Sequence, residues 1–219
     1  MQRVRRSPAI PVEVMTAMEG LGVSRESWRR IGIFIDLLFS WQARINLVSD
    51  KSLSDVWHRH VLDSLQLLQH LPSPTSKIAD LGSGSGFPAL PLAIAAGCPV
   101  HMFESNNKKA AFLREALRVT GTEGVVHAVR LEAITAADVR GFSLVTARAL
   151  APLEALLGFT EPFFKNGAVG LFHKGQDVEG ELTQAQKCWR IQFTKLTSLT
   201  DSEAVLLLVK EAVRVEHQR

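Results

Sequence analysis

The sequence predicts an α/β fold: a mostly parallel seven-stranded sheet preceded by an N-terminal helical extension. Three observations carry this reading. Residues 1–71 show no strand alternation, and their apolar residues recur at helical spacing. Beyond a Pro/Ser-rich stretch at 71–76, short β-type runs alternate with helical ones, the pattern of βαβ units whose parallel sheet is covered on both faces. A glycine-rich turn follows the first of these runs.

In the extension, Ile31, Phe34, Ile35, Leu38 and Trp41 mark one face of an amphipathic helix. A second helix is expected over 52–70, with Ser52 as N-cap and Val56, Leu62, Leu65 and Leu68 inward. The run LPSPTS at 71–76 ends it and divides the chain into a helical extension, 1–71, and a sheet domain, 72–219. Strands are expected at 77–81, 100–104, 125–129, 142–147 and 167–172. The clearest helix, 107–120, places Phe112, Leu113, Ala116 and Leu117 on one face. The last β runs, 190–195 and 204–210, have no long helix between them and read as an antiparallel hairpin at the sheet edge.

Composition excludes several classes. With 219 residues, 46% hydrophobic and 21% charged, the chain is neither disordered nor fibrous. Its net charge is only +3, so a nucleic-acid partner has to be argued from a localised basic face. Cys98 and Cys188 form no CxxC or Cys/His cluster, which points to a reducing cytoplasm without disulfide or zinc. The uncharged stretch at 81–103 carries four Gly and three Pro, too much punctuation for a membrane span. Pro8, Pro11 and Glu13 interrupt any signal-peptide core after Arg3, Arg5 and Arg6. No membrane partner and no metal are expected.

The run IADLGSGSGFP at 78–88 carries the chemistry. Glycines at a strand-to-helix turn let the backbone bend sharply and approach a ligand in the crevice at the strands' carboxyl ends. A dinucleotide fingerprint needs glycine at position 87, where Phe87 stands, and Pro88 removes an amide that a pyrophosphate would use. A nucleoside cofactor without phosphates fits better. Glu104, 22 positions after Gly82, is placed to accept hydrogen bonds from both hydroxyls of a ribose. S-adenosylmethionine has that ribose and lacks a pyrophosphate. Valine at Gly84 is expected to block cofactor binding by crowding the turn.

Further blocks accompany this turn: WQARINL at 41–47, RHVLDS at 59–64, FPALPLA at 87–93, Lys108 and Lys109 before Phe112, RLE at 130–132, ARA at 147–149, and Lys174 with Gly175. In this order and spacing they resemble the bacterial ribosomal RNA small subunit methyltransferase G family, also called glucose-inhibited division protein B, over roughly residues 28–180. The resemblance implies a Rossmann-like class I S-adenosylmethionine-dependent methyltransferase that modifies guanine N7 in 16S ribosomal RNA of the small subunit or an assembly intermediate. It places cofactor contacts on Gly82, Phe87, Leu131, Glu132 and Arg148, beside Gly84 and Glu104 of the turn reading. It places the RNA side on Arg44, Asn46, His60, Lys108 and Lys109, with Asp63 and Ser64 either on that side or bracing the two parts of the chain. Ala89 departs from the family, which usually has glycine there. A monomer is expected.

Arg148 and Lys174 follow the fourth and fifth strands at the carboxyl edge. There Arg148 can meet a cofactor carboxylate, a phosphate or the guanine, and Lys174 a phosphate or solvent. Both are positioning candidates, and no catalytic acid or base is assigned. Guanine N7 carries no proton, so in-line methyl transfer needs no general base; His58, His60 and His173 read as packing or hydrogen-bonding residues. No Pro-Pro pair suggests exocyclic-amine chemistry, and Cys98 lies away from the crevice. Three alternatives stay open: an NAD-linked oxidoreductase, a non-catalytic RNA-binding assembly protein and a small-molecule methyltransferase.

Overall fold

The structure, a computed structural model, describes residues 7–72, 77–135 and 138–215. The Arg3, Arg5 and Arg6 tail and most of the Pro/Ser boundary lie outside them. Helices α1 (Val12–Gly20) and α2 (Arg25–Gln42) open the chain. Ser24 starts α2 by accepting the Ser27 amide at 3.0 Å. The helix expected over 52–70 is broken. Ser49, not Ser52, caps a single turn, α3 (Asp50–Leu53), and the chain then widens into a π-helical turn, Trp57–Leu62. A short piece, α4 (Asp63–Leu65), and a 3₁₀ stretch, Gln66–His70, complete it. The reason lies in the apolar pattern: Val56/Trp57 and Val61/Leu62 are all buried and repeat at an interval of five. An α-turn cannot keep that interval on one face, but an i→i+5 turn can.

The sheet has the order β3-β2-β1-β4-β5-β7-β6, with β1 (Ile78–Leu81) at its centre beside β2 (Val100–Phe103) and β4 (Leu144–Arg148). β3 (Gly124–His127) and β5 (Val169–Lys174) extend it in parallel. β7 (Val205–Arg214) pairs antiparallel with both β5 and the edge strand β6 (Trp189–Thr197). The predicted fold class and terminal hairpin are borne out. Strand limits differ by a few residues, and Glu104 lies just beyond β2.

Alternation along the strands feeds two cores. Ile78, Met102 and Leu144 face a layer made by the N-terminal helices, α5 (Ala89–Ala96) and α6 (Asn107–Thr120), where Phe34, Leu38, Leu65, Leu90 and Phe112 pack. Ala79, Leu81, Phe103 and Val145 face α7 (Leu153–Phe164) and α8 (Val178–Ala185). The N-terminal helices thus share one continuous core with the sheet. Ala89 is fully buried at the first turn of α5, and Cys98 is buried, as a small packing residue would be. Among the described residues, no helix is long and apolar enough to cross a membrane.

Candidate active site

β1 delivers the chain into the glycine turn at the carboxyl edge of the sheet. Gly82 and Gly84 have φ of 66° and 53°, the left-handed region, which costs an L side chain about 1–2 kcal/mol. A Cβ on Gly82 would lie 2.5 Å from Leu150 Cδ1, so this glycine also admits the loop after β4. At Gly84 the nearest atom to such a Cβ is 3.7 Å away. The crowding expected there is therefore not imposed by protein atoms; the backbone conformation is what demands glycine.

Glu104 anchors the turn. Its buried carboxylate accepts the Gly84 amide at 2.8 Å through one oxygen and the Asn106 amide at 2.7 Å through the other. Asn106 in turn caps α6 by accepting the Lys108 and Lys109 amides. Fixed in this way, each carboxylate oxygen keeps a lone pair for a ribose hydroxyl. Below the turn, Asp80 is buried: its Oδ1 accepts the Thr146 hydroxyl at 2.6 Å, and its Oδ2 has no partner. Burial pushes its carboxyl up to about 6, against the opposing hydrogen bonds of Thr146 and Ser83.

A cleft of about 480 Å³ opens over these residues, within the size range of cofactor pockets. Gly82, Gly84, Glu104, Leu131 and Glu132, five predicted cofactor residues, line it, together with Lys109, which is expected on the RNA side. A glycine floor and a bracketed carboxylate fit a nucleoside, and the partnerless Asp80 oxygen buried beneath the turn adds an acidic group close by, so these groups suit S-adenosylmethionine. When bound, that cofactor supplies an electrophilic methyl on a sulfonium.

Phe87 and Arg148 are placed differently from that expectation. Phe87 is buried between Phe34, at 5.1 Å, and the stacked His60 ring, at 4.9 Å, and lines no part of the cleft. Arg148 turns toward the N-terminal layer. Its guanidinium donates to Asp63 Oδ2 at 3.1 Å, His60 Nδ1 at 2.8 Å and the Arg59 carbonyl at 3.2 Å, over the Phe87 ring. Asp63 thereby braces the two parts of the chain, one of its two expected roles. Ser64 instead donates to the His60 carbonyl within its own segment.

Arg148 does border a second cleft of about 440 Å³, with residues 149–152, His173, Lys174, Gly175 and Glu181. Residues 149–151 wall both clefts. Lys174 is not a solvated loop lysine: it is buried at the cleft, 2.5 Å from Glu181 Oε2, and donates to the Ala151 carbonyl. Burial between β5 and α8 forces that pairing. Arg44, Asn46 and Lys108 are exposed and line neither cleft.

His60 and His173 are held neutral here. Burial, reinforced by Arg148, holds His60 down to about 3, and burial lowers His173, whose Nε2 donates to the Asp63 carbonyl. Asp80 and Glu181 escaped sequence reasoning as site residues. For Asp80 the available signal was an acid two positions before Gly82 on a buried strand; for Glu181 nothing in the sequence announced it. Among the described residues, no group of three or more His, Cys, Asp or Glu could hold a metal.

Sheet order and cleft together define a Rossmann-like class I S-adenosylmethionine-dependent methyltransferase. The same fold is seen in the ribosomal protein L11 methylase of Lactobacillus delbrueckii subsp. bulgaricus, with a TM-score of 0.52 and 19% identity over 69% of this chain and 78% of that one. It is also seen in TYW2 of P. horikoshii in complex with MeSAdo, with a TM-score of 0.52 and 11% identity over 71% of this chain and 62% of that one. The family model for rRNA small subunit methyltransferase G, GidB, matches residues 28–207, and the chain belongs to that family. Two relatives named ribosomal RNA small subunit methyltransferase G are each 46% identical to it. The one from Bradyrhizobium sp. (strain BTAi1) matches over 93% of both chains, and the one from Rhodospirillum rubrum over 88% of this chain and 94% of its own. The oxidoreductase alternative falls with this membership.

Proposed function

We propose that this protein transfers the methyl group of S-adenosylmethionine to guanine N7 in 16S ribosomal RNA of the small subunit, by direct in-line displacement without a general base. Family membership carries the coarser part, ribosomal RNA methylation from this donor. One observation supports the finer part: the wall shared by the two clefts, Ala149, Leu150 and Ala151, carries no side chain able to take a proton, while Glu181 and His173 lie on the rest of the second cleft. Guanine N7 presents a lone pair and no proton, so such a site suffices for it, whereas an exocyclic amine has a proton to lose.

The chain's own residues then act by placement. Gly82 and Gly84 let the donor approach the backbone, Glu104 holds the ribose, and the wall 149–151 sets the distance between donor and acceptor. Orientation of that kind recovers about 7–11 kcal/mol of a barrier. Arg44, Asn46 and Lys108, all exposed, are assigned to the RNA surface, and the target base turns outward to reach the second cleft. His60 contributes through the Phe87 stack and Arg148 rather than by contacting RNA.

The test uses labelled S-adenosylmethionine and small subunits from cells lacking this protein, followed by mass mapping of the modified nucleoside. Label in 7-methylguanosine of 16S RNA is expected. Label in another position of guanine or another base refutes the assignment.

A further inference from the structure

The second cleft contains a donor–acceptor pair whose pattern complements the O6 and N1–H positions of guanine. Lys174 Nζ is ion-paired with Glu181 Oε2 at 2.5 Å and donates to the Ala151 carbonyl at 3.2 Å; of its three N–H groups, at least one remains for a ligand. Glu181 Oε2 also accepts the Leu153 amide at 2.6 Å, at the start of α7. Its Oε1 has no hydrogen-bond partner among the described residues, and both side chains line the cleft. The cleft therefore offers a fixed cationic donor directly beside a fixed anionic acceptor.

We propose that Lys174 and Glu181 read the Watson–Crick edge of the target guanine. This rests on the guanine-N7 reading above and names the group that selects the base. Guanine presents one acceptor, O6, next to two donors, N1–H and N2–H. The free N–H of Lys174 meets O6, and Glu181 Oε1 accepts from N1–H and N2–H. Adenine presents the opposite order, with an amino donor where O6 would be and a lone pair at N1 facing the carboxylate. A base gripped by N1 and N2 keeps N7 on the opposite side of the purine, clear of the pair and unblocked for methyl transfer. The bonds to the Ala151 carbonyl and the Leu153 amide fix the pair in place.

Inosine, which keeps O6 and N1–H but lacks the 2-amino group, isolates the contact. Small subunits are reconstituted with guanosine or inosine at the mapped position, and methyl transfer is compared for the wild type and Glu181→Gln. Glutamine keeps an oxygen for Leu153 and Lys174 but turns an amide NH₂ toward the base. The wild type is expected to prefer guanosine over inosine by about 10- to 100-fold in kcat/KM, the discrimination one good base contact provides, and the variant to lose that preference. S-adenosylmethionine affinity, read by calorimetry, stays within about twofold. Should Glu181→Gln not fold, the double variant Lys174→Met/Glu181→Met removes both charges of the buried pair together and gives the same readout. An equal guanosine-to-inosine ratio in wild type and variant, or a ratio near one in the wild type, overturns the assignment while leaving N7 methylation standing. No methyl transfer by the wild type to guanosine-containing subunits overturns both.

Discussion

Replacing Asp63 with alanine strips an acceptor from three side chains at once. Gln66 Nε2 and the Thr200 hydroxyl both lie 2.8 Å from its Oδ1, and Arg148 lies 3.1 Å from its Oδ2, while His173 keeps the main-chain carbonyl. The Asp63 side chain is 13% exposed and that of Arg148 18%, so the guanidinium cannot simply turn to water. Removing one partner of a buried ion pair costs about 3–5 kcal/mol. Arg148 keeps His60 and the Arg59 carbonyl, which favours the lower end, about 3 kcal/mol. Gln66 retains the Asp63 carbonyl and Ser198, so its loss and that of Thr200 add about 1 kcal/mol together. A total of about 4 kcal/mol is a large fraction of a typical folding stability of about 5–15 kcal/mol. With a urea slope of about 2 kcal/mol per molar, the unfolding midpoint falls by about 2 M. Asp63→Asn, which keeps one oxygen for Gln66 and Thr200, should lose roughly half as much. A midpoint within about 0.3 M of wild type for the alanine variant would refute the brace.

Gly84→Val forces a β-branched residue to φ near 53° and is expected to weaken S-adenosylmethionine binding about 5- to 30-fold by calorimetry, since about 1–2 kcal/mol of strain falls on the turn that Glu104 anchors. Unchanged affinity would move the cofactor elsewhere. Asp80 is more basic folded than unfolded, so the folded chain holds its proton longer, and this residue's contribution declines as pH rises from about 4 through 6. Asp80→Asn should therefore gain on wild type over that interval, by up to about 3 kcal/mol at its upper end, read as the difference in urea midpoints. His60 has the opposite sign. Its folded value of about 3 lies below the ordinary 6.5, so the unfolded chain takes the proton first, and stability present above pH 6.5 drains away as pH falls toward 3. His60→Phe should flatten that part of the acid profile, and an unaltered slope would mean the ring titrates freely.

Much of the architecture was legible in the chain alone because it rests on short-range rules. Alternating apolar residues fix which face of a strand is buried, so Ile78 and Ala79 separate into different cores whatever else the fold does. Gly82 and Gly84 announce a left-handed turn because few other residues tolerate it, and an acid at the end of the next strand had to arrive beside that turn once β1 and β2 paired in parallel. Hence Gly82, Gly84, Glu104, Leu131 and Glu132 were found in one cleft. Only tertiary structure decided the partners of the long charged side chains. Arg148 was visible at the carboxyl edge, but Asp63, 85 positions earlier, turned it away from the donor cleft. Lys174 looked like a surface cation until Glu181 met it across the β5–α8 packing. The π-helical turn likewise follows from the core that Val56, Trp57, Val61 and Leu62 must share. Backbone conformation and strand burial are set locally by each residue's own sterics and hydrophobicity, whereas the destination of a flexible charge depends on which distant partner the folded chain brings within reach and shields from water.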